Sequence, residues 1–318
     1  MLAMGKILPL VAACLWGLLP ALRGAVEPKG ADSAARIVRI GHYQCACHQG
    51  DFEANLATVR RGLDQADDAK LDIVSFPECF LTGYYLKEAD ARANAFAVNS
   101  PSMKRVLAMS VGRDVVILVG FNELRGDKLY NTVAVLERGE LLGRYSKALP
   151  YEGYFEPGRE FPVFEKKGLK FGVVICSDGG YIEPARILAL KGARLIFAPH
   201  FNFVSDPVAH YVTVRHDHIA RAVENGVYFL RGNNIVDGAR LEGLRDAGTG
   251  YGDSYLLDPN GDIVAAAGLS HERLMTYQLD LDQKYRAPWN RRSIKSGVEL
   301  MEPLQKALES HRVSPKKD

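Results

Sequence analysis

Cysteine is scarce, with five residues in a chain of 318. That excludes a disulfide-built scaffold, so the fold must rest on a hydrophobic core. Net charge is nearly absent as well: +2, with 25% charged residues. Electrostatics therefore point to neither a nucleic-acid nor a membrane-surface partner. Internal repeats and low-complexity tracts are missing, which excludes solenoids and arrays. Near the N-terminus an uncharged stretch, residues 7–22, follows Lys6 and leads past Pro20 to the small residues Gly24 and Ala25. It is shorter than the ~20 apolar residues a spanning helix needs. The pattern is that of a signal peptide over residues 1–25, and it predicts an exported protein, periplasmic or secreted. Residues 11–14 look like a bacterial lipobox, but apolar chain continues past Cys14, so lipid anchoring is the weaker expectation.

Residues 26–318 contain no linker-like stretch and read as one α/β domain with a C-terminal tail. Residues 36–44 alternate apolar and polar side chains, which predicts a strand. Leu56, Val59 and Leu63 recur at helical spacing. Residues 71–76 form a short apolar run that suits a buried strand. Residues 87–110 predict a helix in two pieces broken at Pro101. Three strands follow over 115–121, 130–137 and 141–146, with Gly126 and Gly139 at the turns. The sequence then repeats the order: strand 171–175, a helix with Pro184 in its first turn and Gly192 past its end, strand 194–198, helix 209–224 and strand 227–232. A hairpin turning at Asn260-Gly261 and a strand over 274–279 complete it. Crossovers mixed with hairpins predict mixed sheets. Sheet against sheet, with helices outside, makes four layers.

Three of these strands end in reactive side chains. Glu78 directly follows the run ending at Phe76, and Pro77 turns it out of the sheet. Lys147 ends the strand over 141–146, and Cys176 ends the strand over 171–175 just before a helix. Strand ends at helix mouths are where α/β proteins place reacting groups. If the three converge, Glu78 takes the thiol proton, Lys147 faces a developing oxyanion and Cys176 attacks a carbonyl carbon.

The "FPE" block at Glu78, the "YSK" block at Lys147 and the "ICSDGGYIEPAR" block at Cys176 together resemble the nitrilase superfamily of carbon–nitrogen hydrolases. So do "HDHIARAVENGVYFLRGNN" and "GDSYLLDPNGDIV". The resemblance implies a four-layer αββα sandwich with two mixed sheets, a Glu–Lys–Cys site forming a thioester acyl-enzyme, and face-to-face homodimers. No cofactor or metal is implied. Cys176 is followed by Ser177-Asp178 rather than Trp-Glu, which is closer to the amidase and carbamoyl-amidase branches than to the nitrile-cleaving one. Glu183 holds the place of a Glu usually preceded by Pro, here Ile182, and Arg186 follows it by three. Many members carry a second active-site Glu at the position of Tyr151; here Glu152 sits one residue later and is the candidate.

The expected activity is hydrolysis of an amide or carbamoyl bond of a small molecule. The Ser177 backbone N–H joins Lys147 at the oxyanion, and Tyr84, His200, Phe201, Asn202 and Arg186 are candidate substrate-binding residues. Arg186 either reads a substrate carboxylate or pairs with Glu183. An acyltransferase using the same site remains an alternative. So does a metal or redox protein built on His42, Cys45, Cys47 and His48, although a continuing strand would put the two cysteines on one face and the two histidines on the other. Cys79 is expected to fill space, and residues 216–218 to lie on the exposed side of a helix.

Overall fold

The computed structural model describes residues 36–237, 249–285 and 299–313. The leader expected over residues 1–25 lies outside them. The first half of the domain runs β1 (Ile37–Gln44), α1 (Phe52–Asp68), β2 (Ile73–Ser75), α2 (Glu88–Asn94), α3 (Pro101–Ala108), β3 (Val116–Arg125), β4 (Lys128–Glu137) and β5 (Glu140–Ser146). The second half runs β6 (Phe164–Lys166), β7 (Leu169–Val173), a 3-10 turn (Cys176–Gly180), α4 (Ile182–Leu190), β8 (Leu195–Pro199), α5 (Pro207–Asn225), β9 (Tyr228–Gly232), β10 (Ile235–Asp237), β11 (Thr249–Leu257) and β12 (Ile263–Leu269). β13 (Arg273–Asp280) returns to pair antiparallel with β1, and a further helix spans Met301–Val313.

Both sheets are mixed. The first has six strands in the order β13-β1-β2-β3-β4-β5, with β1, β2 and β3 parallel. The second has seven, ordered β10-β11-β9-β8-β7-β6 with β12 also on β11; β7, β8 and β9 are parallel. Strand alternation sorts side chains into layers. Val38 and Ile40 of β1, with Phe171 and Val173 of β7 and Leu195 and Phe197 of β8, face the core between the sheets. Ile196 and Ala198, one residue out of step, meet Ala185 and Leu188 of α4 and Ala222 of α5. Val74, Ile117 and Val119 of the first sheet meet Leu56, Val59 and Leu63 of α1. The architecture is therefore the four-layer αββα sandwich with two mixed sheets.

Helix boundaries follow local chemistry. The Asp51 side chain accepts from the Ala54 N–H and starts α1; Asp206 does the same for α5 through Ala209. Pro101 does not break a helix as the sequence pattern predicts. It is the first residue of α3, where its missing N–H costs nothing, and Ser100 caps it; the interruption is segment 95–100, which holds a one-residue bridge at Phe96 and a turn. Strands β6 and β10, three residues each, have no counterpart in the sequence reading, being too short to show a period.

Topology then decides where the site falls. β2 and β3 are parallel, and β5 returns to their direction through the antiparallel β4. Their C-terminal ends thus share one edge of the first sheet. β7, β8 and β9 likewise share one edge of the second.

Candidate active site

Glu78 lies in the loop leaving β2, fully buried. The loop can lie flat on β3 because residue 120 is glycine: a Cβ there would stand 2.5 Å from the Cys79 nitrogen. Three donors fix the carboxylate. Lys147 Nζ donates to Oε1 at 2.8 Å, Asn131 Nδ2 to the same oxygen at 2.7 Å, and the Phe201 N–H to Oε2 at 2.9 Å. The ion pair is dry, with Lys147 only 1% exposed. Burial works to lower the Lys147 pKa, but the charge of Glu78 and the hydrogen bond to it outweigh it and hold the ammonium well protonated.

Cys176 opens the 3-10 turn after β7 with φ +45°, a left-handed conformation that is strained for a residue with a Cβ. Asp178 holds that turn. Its fully buried carboxylate accepts from the Ile175 N–H at 3.1 Å, the Leu149 N–H at 2.8 Å and the Tyr145 hydroxyl at 2.7 Å. It thereby clamps the Cys176 turn to the Lys147 strand end. The sequence reading noted Asp178 only as a departure from other branches; an acidic residue between a buried strand and a helix was the available signal. Asn131 was missed altogether, and its signal was a lone amide inside an apolar strand.

Cys176 is partly buried, and it lines a cavity of about 450 Å³. Burial, reinforced by the nearby Glu78 charge, pushes its thiol up to about 12. At neutral pH the sulfur is therefore protonated, and to act as a nucleophile it would need an adjacent base to take the proton. Glu152 also lines the cavity, 8% exposed, with neither oxygen hydrogen-bonded. Burial and the Glu78 charge raise it to about 7.

Among the other expected residues, Ser177, Tyr84, His200, Phe201 and Asn202 all line this cavity. Tyr84 stacks on Phe201 with ring centroids 5.2 Å apart, and Asn202 Nδ2 reaches Cys176 Sγ at 3.7 Å. Arg186 does not join them. It sits on α4 outside the cavity lining, with Nη1 buried and unpartnered, and no ion pair to Glu183 among the described residues.

His218 departs from expectation in the opposite sense. It is buried, its Nδ1 pairs with the Tyr255 hydroxyl at 2.8 Å, and it borders the cavity. It lies on the same face of α5 as the buried Arg221, Ala222 and Asn225, while His216 is exposed. Gly179 makes room for it: a Cβ there would stand 2.8 Å from His218 Nε2. Gly180, the next residue, lines the cavity.

The cluster near β1 does not converge on a point. His42 Nδ1 pairs with Ser75 Oγ at 2.9 Å, while Cys45 and Cys47 donate to the Tyr43 and Phe80 carbonyls, each at 3.4 Å. His48 is exposed. No group of three or more metal-ligating side chains occurs among the described residues. Cys79 is fully buried and outside the cavity lining.

A four-layer sandwich with Glu, Lys and Cys meeting where the two strand edges face one cavity defines a class. The carbon–nitrogen hydrolase pattern matches residues 39–288, and the chain belongs to that family, within the nitrilase superfamily. It is 33% identical over 268 residues to the N-carbamoylputrescine amidase of Solanum tuberosum, covering 78% of this chain and 88% of that protein. It is 31% identical over 258 residues to an omega-amidase of Saccharomyces cerevisiae, covering 74% and 84%. An amidase from Nesterenkonia sp. superposes with a TM-score of 0.64 at 23% identity, covering 80% of this chain and 95% of that one.

Proposed function

We propose that the protein is an amidase that cleaves a carbon–nitrogen bond of a small amide or carbamoyl compound through a thioester on Cys176. The observation that carries this is the Lys147–Glu78 ion pair at 2.8 Å, buried beside the one thiol among the described residues that opens on the cavity. Glu78 takes the Sγ proton as sulfur attacks the carbonyl carbon. The carbonyl oxygen becomes an oxyanion, and Lys147 Nζ with the Ser177 N–H stabilises it. The C–N bond breaks, nitrogen takes the proton back from Glu78, and ammonia or an amine leaves. Water, deprotonated by Glu78, then attacks the thioester, releasing the acid and restoring the thiol.

The cavity lining favours some substrates over others. Lys147 is its only lysine or arginine among the described residues, and Glu78 neutralises it. Glu152 and Asp217 add carboxylates. An acyl group ending in a second carboxylate is disfavoured there; a short aliphatic amide or a carbamoyl amine fits. Export through the N-terminal leader and assembly as a homodimer belong to the same proposal, on the strength of the sequence pattern and the family resemblance. N-terminal sequencing and sizing of the secreted protein test both.

The deciding experiment incubates the protein with short amides, carbamoyl amines and ω-amides of dicarboxylates and measures ammonia. Release from the first two classes, absent in Cys176→Ala, is expected. Release undiminished in Cys176→Ala contradicts the proposal.

A further inference from the structure

Arg231 is the largest side chain among the described residues with no solvent exposure, and nothing in the reaction above uses it. It stands on β9, next to β8, whose C-terminal loop carries Asn202. Its Nη1 donates to the Gly252 carbonyl at 2.8 Å and to that of Asp253. Its Nη2 donates to the Tyr251 hydroxyl at 2.8 Å and to Asn202 Oδ1 at 2.7 Å. Asn202 is held from a second side, because its own N–H donates to Asn233 Oδ1 at 3.0 Å.

An amide has two ends that differ only in which donates. A guanidinium has no lone pair to offer, so it can meet only the oxygen. Arg231 therefore fixes which way round Asn202 sits, and the remaining end, Nδ2, donates to Cys176 Sγ at 3.7 Å. The flipped amide would set N–H against N–H at Arg231 and oxygen against sulfur.

We infer that Asn202 is a catalytic hydrogen-bond donor to the Cys176 sulfur and that Arg231 is the positioning residue that orients it. The donor favours negative charge on sulfur as the proton leaves; the buried cation behind it acts in the same sense, opposed by the Asp253 carboxylate 3.8 Å from its Nη1. This matters because the other charges around Cys176 are divided. Glu78 and Glu152 disfavour a thiolate, and Lys147 favours it. Tyr251 and His200 also stand close, and neither the Tyr251 phenol nor the His200 imidazole carries charge near neutral pH.

The inference rests on Cys176 being the nucleophile, but its test does not need turnover. Iodoacetamide alkylation of Cys176, located by peptide mass spectrometry, is timed near pH 8. Below the thiol midpoint the rate follows the thiolate fraction, so one unit of pKa is about tenfold. Asn202→Leu keeps volume and removes the donor; Arg231 retains its bonds to Tyr251 and the two carbonyls. Alkylation about tenfold slower is expected, with the thermal midpoint within a few degrees of wild type. Arg231→Lys keeps the charge but loses the fork that orients the amide, and alkylation several-fold slower is expected. If that variant does not fold, Asn202→Leu decides alone. Rates within twofold of wild type in folded Asn202→Leu overturn the donor role. A wild-type rate in folded Arg231→Lys overturns the positioning role. Amide hydrolysis that persists undiminished after Cys176 is fully alkylated would overturn the hydrolytic proposal instead.

Discussion

Two regions of this protein put cysteine at the end of a β-strand, with opposite consequences. After β1, Cys45 and Cys47 sit in the core between α1 and the first sheet, and each thiol donates to a backbone carbonyl. After β7, Cys176 begins a strained turn and opens on a cavity. Burial raises the thiol pKa in both places, Cys47 and Cys176 alike to about 12. The thiol alone therefore does not make a site. What differs is the company: Cys176 has a carboxylate able to take its proton, an ammonium able to face an oxyanion, and room for a substrate. Cys47 has apolar neighbours, a carbonyl and the Asn55 amide, but no carboxylate base, ammonium or cavity.

That contrast can be broken by exchange. Cys176→Ala should lower ammonia release by about 10³-fold or more, while Cys47→Ala leaves the turnover number within about twofold of wild type. Steady-state rates on the amide that gives the most ammonia check both. Lys147→Gln should cost on the order of 10²- to 10³-fold in the same assay, because the oxyanion loses its charge and Glu78 loses its partner.

Glu152 sharpens the comparison through pH. Its folded-state pKa is about 7, raised by burial and by Glu78 from 4.5. Its contribution to stability is fully present below pH 4.5 and is lost as pH rises through about 7. Glu152→Gln should remove that slope and gain up to roughly 2–3 kcal/mol over wild type at pH 8, measured by urea unfolding at several pH values. An unchanged slope would show that its carboxylate is solvated in the folded protein. The smallest effect is expected at Cys47→Ala, which should lose only about 1 kcal/mol by the same measurement, the cost of a small core void.

Much of this was legible in the chain before folding. Alternation and helical spacing placed the long strands and α1, and three reactive side chains at strand ends pointed to the candidate site. The short strands β6 and β10 carry no period and were not legible. Pro101 was read as a breaker because proline interrupts a helix and starts one with equal ease; only the capping Ser100 separates the two. His218 was assigned to solvent because histidine spacing does not say which face of a helix meets the sheet. Arg186 was assigned to the site from its place in a motif, and α4 carries it elsewhere. Asp178, Asn131 and Arg231 act through partners 20 to 53 residues away in sequence, and no local pattern reports such pairings.

The most direct test is acid quenching during turnover, followed by mass spectrometry of the peptide containing Cys176. The account predicts an added acyl mass on that peptide, lost on treatment with hydroxylamine and absent from Cys176→Ala. Steady turnover with no adduct on Cys176, or with the acyl group on another residue, would contradict it.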